Sequence, residues 1–346
     1  MRKILCTVGT SLINNASRSH WKTSSASALS DFIKHKGEKT AGAETNSLSH
    51  ILQEKDHILF LHSQTEEGYL CADALCRYYA DRGFSVKSRE IKGLTYTHNS
   101  FALHGLRSLI SALTDEIRIS RRMSIQPVIN ATGGFKAEIA YATLVGLIFQ
   151  VPVYYIHELF QDIIEMPPLP VNWDPSLFIA HEDFFDWIAQ EFRRKEKVLN
   201  RLKGRPHEIN MFLHEDSEGY ITLSPAGEVY YQAFCHLKEK AKKVMISEKA
   251  LRYFKNLDST RQEIFSRLIK KLNLEQVRSA CARQEPTTDC FIYPTGNTKE
   301  RIFYFTDENK VLHICELAQH GDNYEELHKR RVNKANYTRF IPFEFA

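Results

Sequence analysis

Asn130-Ala131-Thr132-Gly133-Gly134-Phe135-Lys136 stands between a largely apolar run, Ile125 to Ile129, and a stretch, Ala137 to Phe149, with the spacing and composition of a helix. It reads as a strand-to-helix turn. Two adjacent glycines allow backbone conformations and close approaches that a side chain blocks, and the helix beyond them starts with unpaired N–H groups. Backbone donors, helix dipole and the Lys136 ammonium then point at one anion, as a phosphate requires. From this stretch alone two readings are open: a tight turn, or a phosphate-binding turn.

The N-terminus bears on that choice. Lys3 to Val8 is a second strand-like run and ends in Gly9-Thr10-Ser11; a third, His57 to His62, ends in Ser63-Gln64-Thr65-Glu66-Glu67-Gly68. Ligands of doubly wound sheets collect beyond the carboxyl ends of parallel strands, so these polar loops face one crevice. Gly9 lacks the companion glycines of a dinucleotide fingerprint, which disfavours a nicotinamide enzyme.

Val8-Gly9-Thr10-Ser11-Leu12 and Asn130 to Lys136 together resemble the two signature regions of the CARF domain, the Rossmann-like sensor of type III CRISPR systems, which binds cyclic oligoadenylates. The resemblance covers the first half of the chain. It implies a pocket lined by Gly9, Thr10, Ser11, Asn130, Thr132, Gly133, Gly134 and Lys136. A two-fold homodimer matches the rotational symmetry of cyclic tetra-adenylate, the implied allosteric activator. Ser11 and Lys136 also fit the positions associated with ring cleavage in CARF ring nucleases.

The rest of the chain follows this frame. Residues Asn14 to Asn46 are polar with little periodicity, predicting a mobile loop around one short helix, Ala26 to Lys36. Gly68 to Arg82 reads as a helix with Leu70, Ala74, Leu75 and Tyr78 on one face, Phe84 to Ile91 as a strand, Leu94 to Ile117 as a helix and Val151 to His157 as a strand. This alternation predicts a mainly parallel sheet covered on both sides. Met166-Pro167-Pro168-Leu169-Pro170 marks a boundary. One amphipathic helix is expected over Glu182 to Leu202; its basic stripe is either an RNA contact or a solvated face. Gly219 to Phe234 reads as a strand ending at a capping Ser224, with Pro225 at the first helical position and Glu228 near the helix's positive end. This segment is similar to the winged-helix connector that follows many CARF domains, where a connecting or dimerising role is expected.

Toward the C-terminus, Ala250 to Leu257 and Asp258 to Leu272 read as helices, the second with Ile264, Leu268 and Leu272 buried. Strands are expected at Asp289 to Tyr293, Glu300 to Thr306 and Val311 to Leu317, with a hairpin turn at Asp307-Glu308-Asn309-Lys310. Helices followed by an antiparallel meander make an α+β domain. Arg301-Ile302-Phe303-Tyr304, Asp307, the segment Ile314 to His320 and Tyr324 resemble the RelE family of toxin ribonucleases. The whole chain thus resembles the CARF-RelE fusion ribonucleases of type III CRISPR systems, CRISPR-Cas-associated mRNA interferases. The expected domains are 1–172 (sensor), 173–246 (winged-helix-like connector) and 247–346 (RelE-like).

Cleavage of RNA without a metal needs a base for the ribose 2′-hydroxyl, an acid for the leaving 5′-oxygen and positive charge for the phosphorane-like transition state. The resemblance gives Arg301 the phosphate, which a guanidinium grips through two oxygens; the alternative for Arg301 is a surface ion pair. His320 is the candidate acid or base, and Tyr324 stacks on a base or simply packs the domain edge. Lys299, Tyr304 and Glu316 are secondary candidates. Where several relatives of this family carry a denser set of cations, this chain offers Lys270, Lys271, Arg278 and Arg283. Ribosome dependence and messenger RNA as substrate are implied by the resemblance, with Lys329-Arg330-Arg331 as a ribosomal RNA contact.

Composition fits this picture. The 346 residues carry a net charge of +4, compatible with a nucleic-acid partner without requiring one. No apolar run reaches membrane-spanning length and Met1-Arg2-Lys3 leads straight into a strand, so no membrane association and a cytoplasmic protein are expected. Seven cysteines without paired spacing predict reduced thiols, neither a disulfide framework nor a metal site, and no cofactor is required. Two alternatives stay open: a CARF winged-helix transcription regulator with an inactive RelE-like domain, and a ring nuclease degrading cyclic tetra-adenylate.

Overall fold

Strand β1 (Arg2–Val8) runs through the middle of the first sheet because its residues suit burial on both faces: Ile4, Leu5 and Cys6 are fully buried. The computed structural model describes residues 1–95, 104–156, 162–169, 171, 173–275, 277–278, 289–295 and 298–345, and the backbone of 283–284. The chain forms two units, Met1–Asp174 with Asp183–Ala233, and Pro175–Glu182 with Phe234–Ala346.

In the first unit, β2 (His57–Ser63), β3 (Ser85–Ile91), β4 (Gln126–Asn130), β5 (Val153–Tyr155) and β6 (Ile164–Met166) join β1 in the order β3-β2-β1-β4-β5-β6. All pairs are parallel except β5 with β6. The chain is therefore mixed α/β with a mainly parallel central sheet. Val8 pairs with His62 and Cys6 with Asn130, so the β1 and β4 loops leave the same end of the sheet. Strand order reverses between β1 and β4, which is where such sheets hold ligands.

Helices cover both faces. One core joins Ile4, Cys6 and Val8 to Leu12, Leu29, Phe32, Leu48 and Leu75; the other joins Leu5, Leu61 and Ile129 to Leu109, Leu113, Val145 and Phe149. Helix Ala26–Lys36 lies where expected, and Lys136–Phe149 follows the glycine turn. The predicted loop around the former is instead helical at Ser11–Arg18, Glu38–Ala41 and Ala43–Ile51. Its polar residues are held by local hydrogen bonds: the Thr45 hydroxyl donates to the Glu38 carbonyl at 2.6 Å and accepts from the Gly42 N–H at 3.1 Å. Helix Glu66–Asp81 buries Cys71, Ala72, Ala74, Leu75 and Tyr79, with Leu70 and Tyr78 only half-buried. Of the helix expected over Leu94 to Ile117, the structure shows Leu106–Arg122; residues 96–103 lie outside the described residues, as do His157 and Cys281.

The remainder of the first unit corrects the long helix expected over Glu182 to Leu202. Helix Glu182–Gln190 ends, β7 (Arg193–Arg194) pairs with Tyr220 and Ile221, and a second helix, Lys195–Leu202, begins. A 3₁₀ turn, His207–Phe212, leads into the hairpin of β8 (Leu213–Glu215) and β9 (Tyr220–Leu223), giving the strand order β7-β9-β8. Ser224 accepts the Gly227 N–H at 3.0 Å and caps helix Pro225–Lys240, as its sequence predicts.

The second unit contains a sheet in the order β11-β12-β13-β14-β10-β15, comprising β10 (Met245–Ser247), β11 (Arg283–Gln284), β12 (Phe291–Tyr293), β13 (Glu300–Thr306), β14 (Leu312–Gln319) and β15 (Phe340–Pro342). The meander β12-β13-β14 is antiparallel as expected, and β10 lies parallel to β14. Asp307 organises the hairpin, its carboxylate accepting the Val311 N–H at 2.8 Å. Helix Ser259–Leu272 is capped by Asp258 and buries Phe265, Ile269 and Leu272, one position round from the expected face at Ile264 and Leu268.

Candidate functional site

The loops after β1 and β4 meet backbone to backbone. The Thr7 hydroxyl donates to the Gly133 carbonyl at 2.6 Å, and a Cβ placed on Gly9 would lie 2.6 Å from the Gly134 nitrogen. Only glycine permits that approach. Beside this junction opens a cavity of about 480 Å³, lined by Gly9, Thr10, Ser11, Thr132, Gly133 and Gly134 among the expected residues. Asn130 is fully buried behind it: its amide donates to Ser47 Oγ at 2.7 Å and its carbonyl accepts the Thr132 hydroxyl at 2.9 Å. Lys136 is exposed at the first position of its helix and is not part of the cavity lining.

The rest of the lining comes mainly from the segment read as a loop: Asn14, Asn15, Arg18, Lys39, Thr40, Gly42, Ala43, Glu44 and Asn46. Helices Ser11–Arg18 and Ala43–Ile51 both start in the lining, so their positive ends face the cavity. Arg18 and Lys39 add exposed cations. Glu44 binds the junction together. Its carboxylate accepts the Gly9 N–H at 2.7 Å and the Ser11 hydroxyl at 3.0 Å, while Ser11 accepts the Ala43 N–H at 2.9 Å. Burial pushes the Glu44 carboxyl upward. On the other side of the turn, Glu138 accepts the Phe135 N–H at 3.2 Å, and burial, reinforced by Glu44, raises its pKa to about 7.

In the second unit, Arg301, His320 and Tyr324 come together. The Arg301 guanidinium lies 5.8 Å from the Tyr324 ring centroid, and His320 is 4.1 Å from the same ring, which stacks on Phe303 at 6.0 Å. Arg301 donates to the Thr298 carbonyl at 2.5 Å and the Glu300 carbonyl at 2.7 Å. Exposed Lys299 adjoins them, its carbonyl accepting the His320 N–H at 2.9 Å. Glu325 Oε1 is 3.2 Å from His320 Nδ1.

The other candidates stand apart from this cluster. Tyr304 is buried with its ring 5.6 Å from Phe291. Glu316 is buried beneath Lys249 at 2.8 Å, the Tyr337 hydroxyl at 2.8 Å and Arg330 at 3.4 Å. Lys329 and Arg331 are exposed beside Arg330. Arg278 closes the end of helix Ser259–Leu272, donating to the Leu272 and Asn273 carbonyls, and Lys270 pairs with Glu182 at 3.5 Å. Among the described residues no group of three His, Cys, Asp or Glu side chains could hold a metal ion, and no helix is long and apolar enough to cross a membrane.

Sequence reasoning missed Arg18, Lys39 and Glu44 in the cavity lining, Glu138 beside the glycine turn and Glu325 beside His320. Glu138 was recoverable: an acid three residues after the helix cap is a capping signal. Glu44 carries no such local mark, since its partners Gly9 and Ser11 lie across a fold contact.

Among solved structures, protein VC1899 from Vibrio cholerae is 10% identical, with 95% of this chain and 83% of that one covered and a TM-score of 0.29. Can2 from Sulfobacillus thermosulfidooxidans in complex with cyclic tetra-adenylate is 11% identical, with 95% and 84% covered and a TM-score of 0.26. Residues 39–169, which supply the Lys39-to-Asn46 wall of the cavity and the whole of the β4 glycine turn, match the family described as CRISPR-associated protein (Cas_APE2256).

Proposed function

We propose that this chain is a CRISPR-associated sensor and effector: a homodimer whose first domain (1–172) binds a cyclic oligoadenylate, cyclic tetra-adenylate by its symmetry, and whose last domain (247–346) then cleaves messenger RNA on the ribosome. The observation that carries the reading is the switch-point cavity, whose Lys39-to-Asn46 wall and β4 glycine turn belong to the stretch that matches a CRISPR-associated family. Helix starts, Arg18 and Lys39 offer it the positive field that a phosphodiester ring needs.

For the effector, the reading rests on Arg301, His320 and Tyr324 sharing one aromatic cluster. In this scheme the 2′-oxygen attacks phosphorus in line, its proton passing to a base, and the 5′-oxygen leaves with a proton from an acid, giving a 2′,3′-cyclic phosphate and a free 5′-hydroxyl. Arg301 holds the phosphate, His320 moves a proton and Tyr324 stacks on a base. Lys329 and Arg331 face ribosomal RNA. The connector serves as a linker: its wing carries Glu215, Asp216 and Glu218, and the element at the recognition-helix position is a six-residue 3₁₀ turn, both poor for DNA.

Incubating translating ribosomes with the parent, Arg301→Ala and Arg18→Ala, with and without cyclic tetra-adenylate, tests the proposal. Cleavage that needs ribosome and activator, is lost in Arg301→Ala and needs more activator in Arg18→Ala supports it. Absence of cutting with every ring size tried rejects the effector, and rapid loss of the activator instead identifies a ring nuclease, for which Ser11 on the cavity wall is the residue to test.

A further inference from the structure

Two buried carboxylates stand at the switch-point cavity's glycine turn, Glu44 in the lining itself and Glu138 against the lining residue Gly134. Glu44 and Glu138 are 0% and 2% exposed. They flank the same turn: a Cβ on Gly133 would overlap Glu44 Oε1, and one on Gly134 would lie 2.5 Å from Glu138 Oε2. Their hydrogen-bond donors are neutral, namely the Gly9 and Phe135 N–H groups and the Ser11 hydroxyl, and among the described residues neither is paired with a cation. Around Glu44 stand Cys6 from β1 and Cys71 from helix Glu66–Asp81, which burial first and the Glu44 charge second keep as neutral thiols, and Glu138 from helix Lys136–Phe149. The cations nearby, Arg18 of helix Ser11–Arg18, Lys39 of helix Glu38–Ala41 and Lys136, are exposed and solvated.

Phosphate charge entering such a site meets fixed negative charge in a medium that screens it poorly. The system lowers its energy by taking protons onto the carboxyls, because a like charge brought close raises a carboxyl's pKa further. Burial and mutual repulsion already hold Glu138 at about 7, so little more is needed near neutrality. We propose that the cavity binds its polyanion together with protons drawn from solvent, Glu44 and Glu138 passing from carboxylate to carboxylic acid as the ligand seats. The inference rests on the sensor reading above. It makes the sensor pH-dependent: by linkage, uptake of one proton per site weakens binding about tenfold for each pH unit of rise.

Titration calorimetry of the full chain with cyclic tetra-adenylate, in buffers of different ionisation enthalpy from about pH 6 to about pH 8, measures that uptake directly. The expected result is a buffer-dependent heat corresponding to net proton uptake, with affinity falling as pH rises. In Glu138→Gln both effects shrink, and in infrared difference spectra of the parent a carboxylic-acid carbonyl band grows on ligand addition. Binding with buffer-independent heat and flat affinity overturns the inference and leaves the sensor standing. No binding at any pH overturns both. The parent's own heats decide the matter should Glu138→Gln fail to fold.

Discussion

Glu138 carries a pH prediction of its own, independent of any ligand. Its carboxyl rises from the ordinary 4.5 to about 7 in the folded chain. A group with a raised folded pKa contributes stability that is fully present below the unfolded value and is lost as pH climbs through the folded one. Denaturant midpoints of the first unit should therefore fall between about pH 4.5 and about pH 7, by about 3 kcal/mol from this group. Glu138→Gln should remove that slope. At Gly133 an added methyl would overlap Glu44 Oε1 and lie 2.5 Å from the Thr7 carbonyl, so Gly133→Ala should cost about 1–3 kcal/mol, read as a lowered Tm. The glycines were legible because chain conformation marks them locally. Glu44 was not: the Gly9 N–H it accepts is 35 residues away in sequence, and no periodicity records such a partner.

Among the elements, the strands around β1 and helix Ala26–Lys36 were legible because apolar spacing and caps announce them. Helix Ala43–Ile51 was hidden by composition. Glu44, Thr45 and Ser47 are buried polar residues there, satisfied by neighbours, whereas sequence patterning equates polar with exposed. The break in Glu182 to Leu202 was hidden because β7 exists only through its pairing with Tyr220 and Ile221. One ion pair fixes this connector. Arg107, from helix Leu106–Arg122, reaches Glu228 at 2.9 Å and the Ala189 carbonyl at 3.2 Å, and Glu228 is nearly buried. Arg107→Ala strands that carboxylate and should destabilise the first unit by about 3–5 kcal/mol. Hydrogen exchange should rise across Tyr220 to Ala233, and Arg107→Lys should rescue only part, lacking the two-pronged grip.

For the molecule as a whole, the proposed homodimer is open to direct measurement. Helix Lys136–Phe149 is apolar almost all round, as a covered helix is, yet Ala140 is exposed and Leu147 half-exposed. Sedimentation equilibrium should give a dimer for the parent and a monomer for Ala140→Glu with Leu147→Glu; a monomeric parent would refute the two-fold sensor. The division into units also constrains any dissection. The chain passes into the second unit at Pro175, returns at Asp183 and leaves again inside helix Pro225–Lys240, between Ala233 and Phe234. Phe178 from the short visit packs 5.9 Å from Phe234. No single cut therefore frees the second unit as a transplantable cassette. An excised 247–346 leaves behind Phe178 and Phe234, while exchanging the first unit for a foreign one requires three junctions, one of them spliced in phase through a helix.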